Sequence, residues 1–310
     1  MLRRLFAFLA VLAFAAACGS SSGNSSGSKA TPAPSGPSGQ APTVIGTFGT
    51  KPTITFPNSQ PGATLQKTVL HAGTGAAVKS GDLLVVNYLG QIWRGSVFDN
   101  SYDRHVATGF PIGIGKVIQG WDKTLVGTRG GSRVLLVVPP ADGYGSGGNS
   151  QAGIKGTDTL VFVVDVISSY AAKLGGDPHA VPQHVPGNLP KVSGALGKQP
   201  TITVGHAPLP TAPKTIVLAK GHGPAVKRGL VIVQYVAVSW TGKDAGSTWK
   251  EGSGCPAAAP IADPSQPTPF DSLVGVPVGS RVLLEVPAKQ GSPPNTADAV
   301  VIDVVAEAAG

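Results

Sequence analysis

Short runs of alternating apolar and polar residues recur along the chain and predict an architecture built mainly from β-strands. The runs LLVVNYLGQIW at 83–93, SRVLLVVP at 132–139 and LVFVVDV at 160–166 are rich in β-branched residues and are bounded by Gly, Pro or Asp. The stretch Val117–Leu125 is instead interpreted as one short helix. A sheet combined with a single helix is an α+β layout.

The strand pattern occurs twice, because segments of the first half reappear in the same order in the second half. The matched pairs are FGTKPTITF (48–56) with LGKQPTITV (196–204), AVKSGDLLVVNYLGQIW (77–93) with AVKRGLVIVQYVAVSW (225–240), LVGTRGGSRVLLVVP (125–139) with LVGVPVGSRVLLEVP (273–287), and FVVDV (162–166) with VIDVV (301–305). The first three pairs begin 148 residues apart. This repetition predicts a duplicated domain.

The N-terminal residues 1–17, MLRRLFAFLAVLAFAAA, are interpreted as a secretory signal peptide, since two arginines precede an apolar run. The run is shorter than the ~20 residues that a membrane-spanning helix needs. Cys18 follows directly, and this arrangement resembles a bacterial lipoprotein signal in which the cysteine is lipidated. Ala15 departs from that pattern, where a bulky apolar residue is usual. We therefore expect an extracytoplasmic protein, lipid-anchored to the cell membrane or secreted if Cys18 is not lipidated.

Composition divides the remainder of the chain. Residues 19–43 are rich in Ser, Gly, Pro and Ala, which is typical of a flexible tether. A second Pro-, Gly- and His-rich stretch separates the two repeats and is interpreted as a linker. The expected boundaries are a signal peptide at 1–17, a lipidated Cys and tether at 18–44, a first domain at 45–172, a linker at 173–194 and a second domain at 195–310.

Charge and candidate ligands exclude several classes of function. The net charge of +8 arises from 24 scattered basic and only 16 acidic residues, without the basic stripe that nucleic-acid binding requires. The six histidines are isolated, and the second cysteine, Cys255, is remote from Cys18, so we expect neither a metal site nor a disulfide. Residues 143–148 match G-x-G-x-x-G, but no helix pattern follows to hold a pyrophosphate, and no nucleotide or other cofactor is expected.

Residues 65–168 resemble the FKBP-type peptidyl-prolyl isomerase family. The motifs that carry the resemblance are VNYLG (86–90), VFDNSYDR (97–104), VIQGW (117–121), GYG (143–145) and LVFVVDV (160–166), in the family's order. The resemblance implies a twisted antiparallel sheet wrapped on one short helix. With the duplication, it implies two such domains after a signal peptide and a flexible tether.

The resemblance also implies a set of site residues. The implied substrate-binding residues are Tyr88, Phe98, Phe110, Val117, Trp121, Ile154 and Phe162, with Trp121 as the floor of the pocket. The implied catalytic groups are the Asp99 carboxylate, the Tyr144 hydroxyl and the backbone N–H of Ile118. Arg104, together with Tyr88, would hold Asp99 in place.

The implied activity is isomerisation of X-Pro bonds in secreted or envelope proteins. The barrier of ~18–20 kcal/mol comes from amide resonance, so a pocket that desolvates the planar amide and favours the twisted one needs no nucleophile, metal or cofactor. Expected partners are proline-containing peptides, unfolded secreted proteins and macrolide ligands. Two alternatives remain open, namely a non-catalytic peptide-binding chaperone and a surface lipoprotein that uses both domains as spacers.

The second repeat is expected to keep the fold and lose the pocket. Val300 stands at the place of Phe162, Phe270 lies near the place of Trp121, and Trp249–Lys250 is the nearest match to Phe98–Asp99. The loop that would carry the tyrosine and the pocket isoleucine is also about ten residues shorter. We therefore predict a degenerate copy without catalysis.

Overall fold

The computed structural model describes residues 39–250, 254–261, 267–289, 292–293 and 296–308. The expected signal peptide and the expected lipidation site Cys18 lie outside these ranges. Within them, no helix has both the length and the apolar character that crossing a membrane requires. The described structure is α+β, with mostly antiparallel sheets and one short α-helix.

The first half builds a hairpin, a six-stranded sheet and the α-helix. Its elements are β1 (Thr43–Ile45), β2 (Thr53–Thr55), β3 (Gln66–His71), β4 (Leu83–Ile92), β5 (Val97–Asn100), β6 (Thr108–Pro111), α1 (Gln119–Leu125), β7 (Arg133–Val138) and β8 (Leu160–Tyr170). β1 pairs with β2, while the sheet has the order β3-β7-β8-β4-β5 with β6 beside β4. The helix expected over 117–125 is confirmed, starting two residues later.

Both faces of the first sheet are covered, which explains why β7 is buried at every position. On one face, α1 packs Trp121 and Leu125 onto a cluster that includes Val134 and Leu136. On the other face, the β1–β2 hairpin places Val44 and Ile54, with Phe56 beyond it, over a smaller cluster that includes Leu135. A strand buried on both faces reads as a continuous apolar run, as RVLLVV does.

The second half builds a second hairpin and a seven-stranded sheet. Its elements are β9 (Val181–Pro182), β10 (Lys191–Ser193), β11 (Thr201–Thr203), β12 (Lys214–Lys220), β13 (Gly229–Ser239), β14 (Asp244–Ser247), β15 (Ala257–Ile261), a 3₁₀ helix (Pro269–Leu273), β16 (Arg281–Val286) and β17 (Asp298–Ala308). The sheet has the order β14-β13-β17-β16-β12-β9, with β15 beside β13, and β10 pairs with β11.

The two sheets share one strand order. β12, β16, β17, β13 and β14 follow each other as β3, β7, β8, β4 and β5 do, and β15 flanks β13 as β6 flanks β4. A short 3₁₀ helix, Pro269–Leu273, stands at the place of α1, so the short helix expected in each copy is an α-helix in the first half and a 3₁₀ helix in the second. The segment has only five residues before its cap, and 3₁₀ geometry is common in such short pieces.

The segment expected as a linker, 173–194, contains ordered strands. β9 pairs with β12 at the sheet edge, and β10 forms the hairpin with β11. The second structural unit therefore begins before residue 195. The composition of this segment predicted a linker because β9 and β10 have only two and three residues, too few for an alternating pattern to show.

An apolar cluster joins the two halves. Its buried members are Leu83, Val85 and Ala107 from the first half and Leu230, Ile232, Cys255, Ala258 and Ala308 from the second. The Cys255 thiol lies 3.0 Å from the Gly81 carbonyl oxygen, to which it donates. The two halves approach closely at Gly109, where an added Cβ would lie 2.6 Å from Cβ of Ala258. Cys255 therefore has a structural place at this interface.

Candidate active site

An apolar cleft opens beside the N-terminal end of α1. It has an empty volume of about 340 Å³. Its lining residues are Tyr88, Phe98, Asp99, Phe110, Val117, Ile118, Trp121, Tyr144 and Phe162. The structure thus brings together nine of the expected site residues. Ile154 is buried in the same core cluster as Tyr88, Trp121 and Phe162 but is not among the lining residues, and Arg104 pairs with Asp99.

Trp121 forms the floor of the cleft. It lies in the first turn of α1 and is 4% exposed. The rings of Tyr88, Phe110 and Phe162 meet it edge to face, with centroid distances of 5.5, 5.4 and 5.4 Å respectively. Its buried Nε1 has no hydrogen-bond partner among the described residues. The floor is therefore an aromatic surface held rigidly by its neighbours.

Gly90 of β4 makes room for the aromatic wall. A Cβ added there would lie 2.7 Å from the Phe98 ring and 2.9 Å from the Phe162 ring. Phe98 and Phe162 in turn pack edge to face at 5.6 Å. The sequence reasoning did not single out Gly90 as a site residue. The available signal was a glycine inside an otherwise β-branched strand, which often marks a close approach of another group.

Asp122 shapes the loop that leads into the cleft. Its carboxylate accepts hydrogen bonds from the N–H groups of Gly113 at 2.6 Å and Gly115 at 2.7 Å. Both glycines have φ above +70°, a conformation that other residues rarely adopt. This loop delivers Val117 and Ile118 to the start of α1. Ile118 occupies the N-cap position, where backbone N–H groups lack intrahelical acceptors. Asp122 was also missed by the sequence reasoning.

Asp99 is the charged group at the edge of the cleft. Its Oδ2 accepts a short hydrogen bond from the Tyr88 hydroxyl, and its Oδ1 pairs with Arg104 Nη1 at 2.5 Å. Arg104 also donates to the Tyr88 hydroxyl at 3.1 Å. The Asp99 side chain is only 9% exposed, so Tyr88 and Arg104 hold its carboxylate in place beside an apolar surface. Burial, followed by the charge of Asp99, raises the pKa of Tyr88 and keeps it a donor.

Tyr144 supplies a hydroxyl among the residues that line the cleft. Burial raises its pKa to about 12, so the phenol stays protonated. Asn149 is its side-chain hydrogen-bond partner, and Asn149 Oδ1 accepts from the Ala152 N–H at 3.3 Å. Asn149 therefore offers its amide N–H to the phenol, whose own proton can be donated to a substrate carbonyl.

The loop behind Tyr144 is compact despite its glycines. Asn149 and Ile154 exchange two backbone hydrogen bonds, of 2.8 and 2.9 Å. Gly148 sits at φ +62°, where an added Cβ would lie 2.4 Å from the Ile154 carbonyl oxygen. The buried Ile154 side chain thus anchors the loop in the core cluster that also contains Tyr88, Trp121 and Phe162.

The second half keeps the strand register but not the side chains of the site. Gly90 pairs with Phe162 on one side and Asp99 on the other, while Ala237 pairs with Val300 and Gly246. By this register the counterparts are Ala237 for Gly90, Ala245 for Phe98, Gly246 for Asp99, Ala259 for Phe110 and Val300 for Phe162. The tyrosine of the wall is kept as Tyr235.

The alignment of Trp249–Lys250 with the Phe-Asp pair is wrong. The Thr248 hydroxyl accepts the Tyr235 N–H at 2.9 Å, as the Ser101 hydroxyl accepts the Tyr88 N–H at 2.9 Å. Trp249 follows Thr248 and so corresponds to Tyr102, which follows Ser101. The sequence comparison placed an aromatic residue on an aromatic residue, although the strands before Tyr102 and Trp249 are equally long and Trp249 lies four positions beyond Ala245, the counterpart of Phe98.

The chain is similar to known proteins over part of its length. Residues 75–167 match the family model of the FKBP-type peptidyl-prolyl cis-trans isomerases. An FK506-binding protein of Streptomyces anulatus is 34% identical over 119 residues, which cover 38% of this chain and 96% of that protein. FK506-binding protein 2 of Dictyostelium discoideum is 42% identical over 89 residues, covering 29% of this chain and 66% of the relative.

Longer relatives match over a smaller share of their length. FkpA of Escherichia coli is 39% identical over 113 residues, covering 36% of this chain and 40% of FkpA. A crystal structure of FkpA aligns with a TM-score of 0.32 at 38% identity, covering 34% of this chain and 48% of that chain. Three of the first four relatives are likewise matched over two thirds of their length or less. The relative from Streptomyces, covered almost completely, establishes that the chain belongs to the family of FKBP-type peptidyl-prolyl cis-trans isomerases.

Proposed function

We propose that the cleft of the first half catalyses cis-trans isomerisation of X-Pro bonds in secreted or envelope proteins. The observation that carries the proposal is the Trp121 floor, enclosed edge-on by three aromatic rings and flanked by Asp99 and Tyr144. The surface suits a flat apolar ring such as that of proline. The two polar groups stand at the rim, where the peptide bond of a bound proline would lie.

The mechanism follows from what this surface does to an amide. A planar amide is more charge-separated than a twisted one, so removing water from it destabilises the planar form and lowers part of the ~18–20 kcal/mol barrier. The Tyr144 hydroxyl and the Ile118 N–H hold carbonyl groups of the substrate on either side of the proline. The Asp99 carboxylate, fixed by Tyr88 and Arg104, acts electrostatically on the amide as it twists.

The substrate class follows from the cleft and from the N-terminal sequence. An apolar floor favours proline-containing peptides and macrolide ligands, and it favours an apolar residue before proline. The signal-like residues 1–17 and Cys18 support an extracytoplasmic location with a lipid anchor. Mass spectrometry of the mature protein tests the anchor: it should begin at Cys18 and carry acyl chains, whereas an unmodified N-terminus rules it out.

The second half is a degenerate FKBP-like domain in this proposal. Its strand order repeats that of the first half, whereas Ala245, Gly246, Ala259 and Val300 replace the aromatic wall and the carboxylate. Pro269 and Phe270, at the start of the 3₁₀ helix, stand near the position of Trp121, and Phe270 packs against the cluster that contains Tyr235. Among the described residues of this half, no carboxylate stands at the position of Asp99 and the aromatic wall is reduced, so we expect no acceleration of isomerisation from it.

The experiment is an NMR exchange measurement of a short X-Pro peptide with the full chain. Wild type should accelerate cis-trans exchange, and Trp121→Leu should abolish the acceleration while leaving the fold intact. The matched control is Trp240→Leu in the second half, which should leave the rate unchanged. Peptide binding without acceleration by wild type would reject the enzyme and support a binding chaperone.

A further inference from the structure

A buried ion pair lies on the face of the first sheet that is opposite to the cleft. Arg133 and Asp165 are 2% and 0% exposed, and their side chains pair at 2.6 and 2.7 Å. The β1–β2 hairpin closes over them: Arg133 donates to the carbonyl oxygens of Gly46 and Thr50, each at 2.7 Å. Asp165 accepts the Gly49 N–H at 2.7 Å. The turn of the hairpin is thus tied to a fixed point in the sheet.

Tyr102 connects this ion pair to the active site. Its hydroxyl donates to Asp165 Oδ2 at 2.9 Å and accepts from Arg133 Nη2 at 3.2 Å. Tyr102 opens the three-residue 3₁₀ turn that ends at Arg104. Arg104 is the residue that pairs with the catalytic carboxylate of Asp99 at 2.5 Å.

A second connection comes from the hairpin itself. Lys51 Nζ reaches the Asp103 carboxylate at 2.6 and 2.9 Å. Asp103 is the central residue of the same turn, and it also exchanges hydrogen bonds with Asn100 at 2.9 and 3.0 Å. All three residues of the turn are therefore held: Tyr102 by the buried Arg133–Asp165 pair that the hairpin covers, Asp103 by Lys51 of the hairpin, and Arg104 by Asp99.

We infer that the β1–β2 hairpin is a positioning element for the active site, acting through Tyr102 and Lys51 on the turn that aims Arg104 at Asp99. The inference rests on the proposed role of Asp99 in isomerisation. Its physical basis is the length of the arginine side chain, which loses rotamer entropy when it is fixed. When the backbone is already fixed at Tyr102 and Asp103, Arg104 has fewer conformations to lose on pairing with Asp99. The hairpin lies outside residues 75–167, the range that the family model matches.

The second half provides an internal comparison. It keeps an equivalent buried ion pair under its hairpin, whereas its residues at the positions of Tyr102, Asp103 and Lys51 differ. Arg281 and Asp303 pair at 2.6 Å, and Arg281 donates to carbonyl oxygens of the β10–β11 hairpin, including that of Lys198 at 2.6 Å. The three connecting positions carry different residues there: Trp249 for Tyr102, Lys250 for Asp103 and Gln199 for Lys51. Gly246 stands at the position of Asp99. The buried ion pair thus stabilises the fold in both halves, whereas the two connections are found in the first half, which also carries the Asp99 carboxylate.

The two connections differ in strength. Lys51 and Asp103 are 49% and 59% exposed, and an exposed pair of this kind contributes little and is screened by salt. The Tyr102 hydroxyl is shared between two buried charged groups, where hydrogen bonds are stronger. Tyr102 is therefore the position at which the inference is tested.

The decisive variant is Tyr102→Phe in the full chain, which removes one hydroxyl and keeps the ring. We expect kcat to fall at least about threefold, from the loss of one hydrogen bond, while KM for the peptide stays unchanged because the aromatic walls are untouched. We also expect the guanidinium resonances of Arg104 to broaden as its pairing with Asp99 loosens. The matched control is Trp249→Phe, which should alter neither kcat nor the Arg104 signals.

The readouts separate this inference from the proposed function. An inactive wild type rejects the isomerase, while the Arg104 resonances still report on positioning. An active wild type with unchanged kcat and unchanged Arg104 signals in Tyr102→Phe overturns the inference. If that variant does not fold, Lys51→Gln replaces it: kcat should fall by less than about threefold at low ionic strength, and the loss should shrink at high salt. An unchanged kcat in Lys51→Gln at low ionic strength then overturns the inference.

Discussion

Tyr88 donates its hydroxyl proton to Oδ2 of Asp99, and this bond joins the aromatic wall of the cleft to its charged edge. Tyr88 meets Trp121 edge to face at 5.5 Å, and the Arg104 guanidinium lies 5.7 Å from the centre of the Tyr88 ring. One side chain therefore connects the floor, the carboxylate and the balancing cation. We expect a substitution of Trp121, Asp99 or Arg104 to alter the environment of the other two through Tyr88.

The charge of Asp99 is the first test of this coupling. Asp99→Asn keeps the size of the side chain and removes the charge that acts on the amide. We expect kcat/KM to fall by about tenfold, equivalent to ~1.4 kcal/mol. Since burial and then Asp99 raise the pKa of Tyr88, the variant should also lower the pKa of Tyr88. Titration of the tyrosinate absorbance near 295 nm, compared with a Tyr88→Phe variant, measures that change; an unmoved pKa contradicts the coupling.

Tyr144 sets the pH dependence. Burial raises its pKa to about 12, so the neutral donor persists through the physiological range and the rate should be level from about pH 6 to pH 10. The rate should then fall as the phenolate forms. Tyr144→Phe should lower kcat/KM by about threefold to tenfold at neutral pH and remove that part of the decline. A steep decline already below pH 9 in wild type contradicts this role.

The raised pKa of Tyr144 also makes the free energy of unfolding depend on pH. Folding raises the pKa of Tyr144, so the neutral phenol contributes its full stabilisation below the ordinary value of about 10. That contribution is lost as the pH rises toward about 12. Urea unfolding of wild type and Tyr144→Phe across this range should show wild type losing more stability than the variant. Equal losses in the two proteins contradict the assignment.

Gly90 tests the space behind the aromatic wall. In Gly90→Ala, the added Cβ would meet the Phe98 and Phe162 rings at 2.7 and 2.9 Å, and neither ring can withdraw without opening the cleft. We expect a loss of about 1–3 kcal/mol in the free energy of unfolding, together with weaker peptide binding. The control is Ala237→Gly at the equivalent strand position, which should leave peptide binding unchanged. Unchanged binding in Gly90→Ala contradicts the described wall.

The interface between the halves is tested at Gly109. A Cβ there would lie 2.6 Å from Cβ of Ala258, so Gly109→Ala should lower the melting temperature and separate the unfolding of the two halves. Gly147→Ala is the matched control, because no atom lies within 4 Å of an added Cβ at that position. Calorimetry of wild type should show one cooperative transition. Two independent transitions in wild type would mean that the apolar cluster around Cys255 does not couple the halves.

The sequence predicted most of the cleft because many of its aromatic and charged residues lie in short contiguous motifs. VIQGW places Trp121 at the start of a helix, and VFDNSYDR carries both Asp99 and Arg104. Ile154 lies outside those motifs. It is buried in the cluster that contains Trp121 and Phe162, and its loop closes through backbone hydrogen bonds with Asn149.

The remaining features depend on distances that no local string contains. Gly90 matters because two rings approach it from β5 and β8, and Asp122 matters because a loop folds back onto its carboxylate. The connection from Lys51 to Asp103 spans 52 positions of sequence. The short strands β9 and β10 escaped detection because they derive order from pairing with β12 and β11.

The most direct test of the central claim follows the indole N–H resonances of the full chain while an X-Pro peptide is added and its exchange is measured. Trp121 Nε1 has no partner among the described residues and lies under the proposed proline site, whereas Trp240 Nε1 donates to the Ala207 carbonyl at 3.0 Å in the second half. We expect the Trp121 signal to shift in step with accelerated exchange and the Trp240 signal to stay fixed. Accelerated exchange with an unmoved Trp121 signal would place catalysis elsewhere and contradict the account.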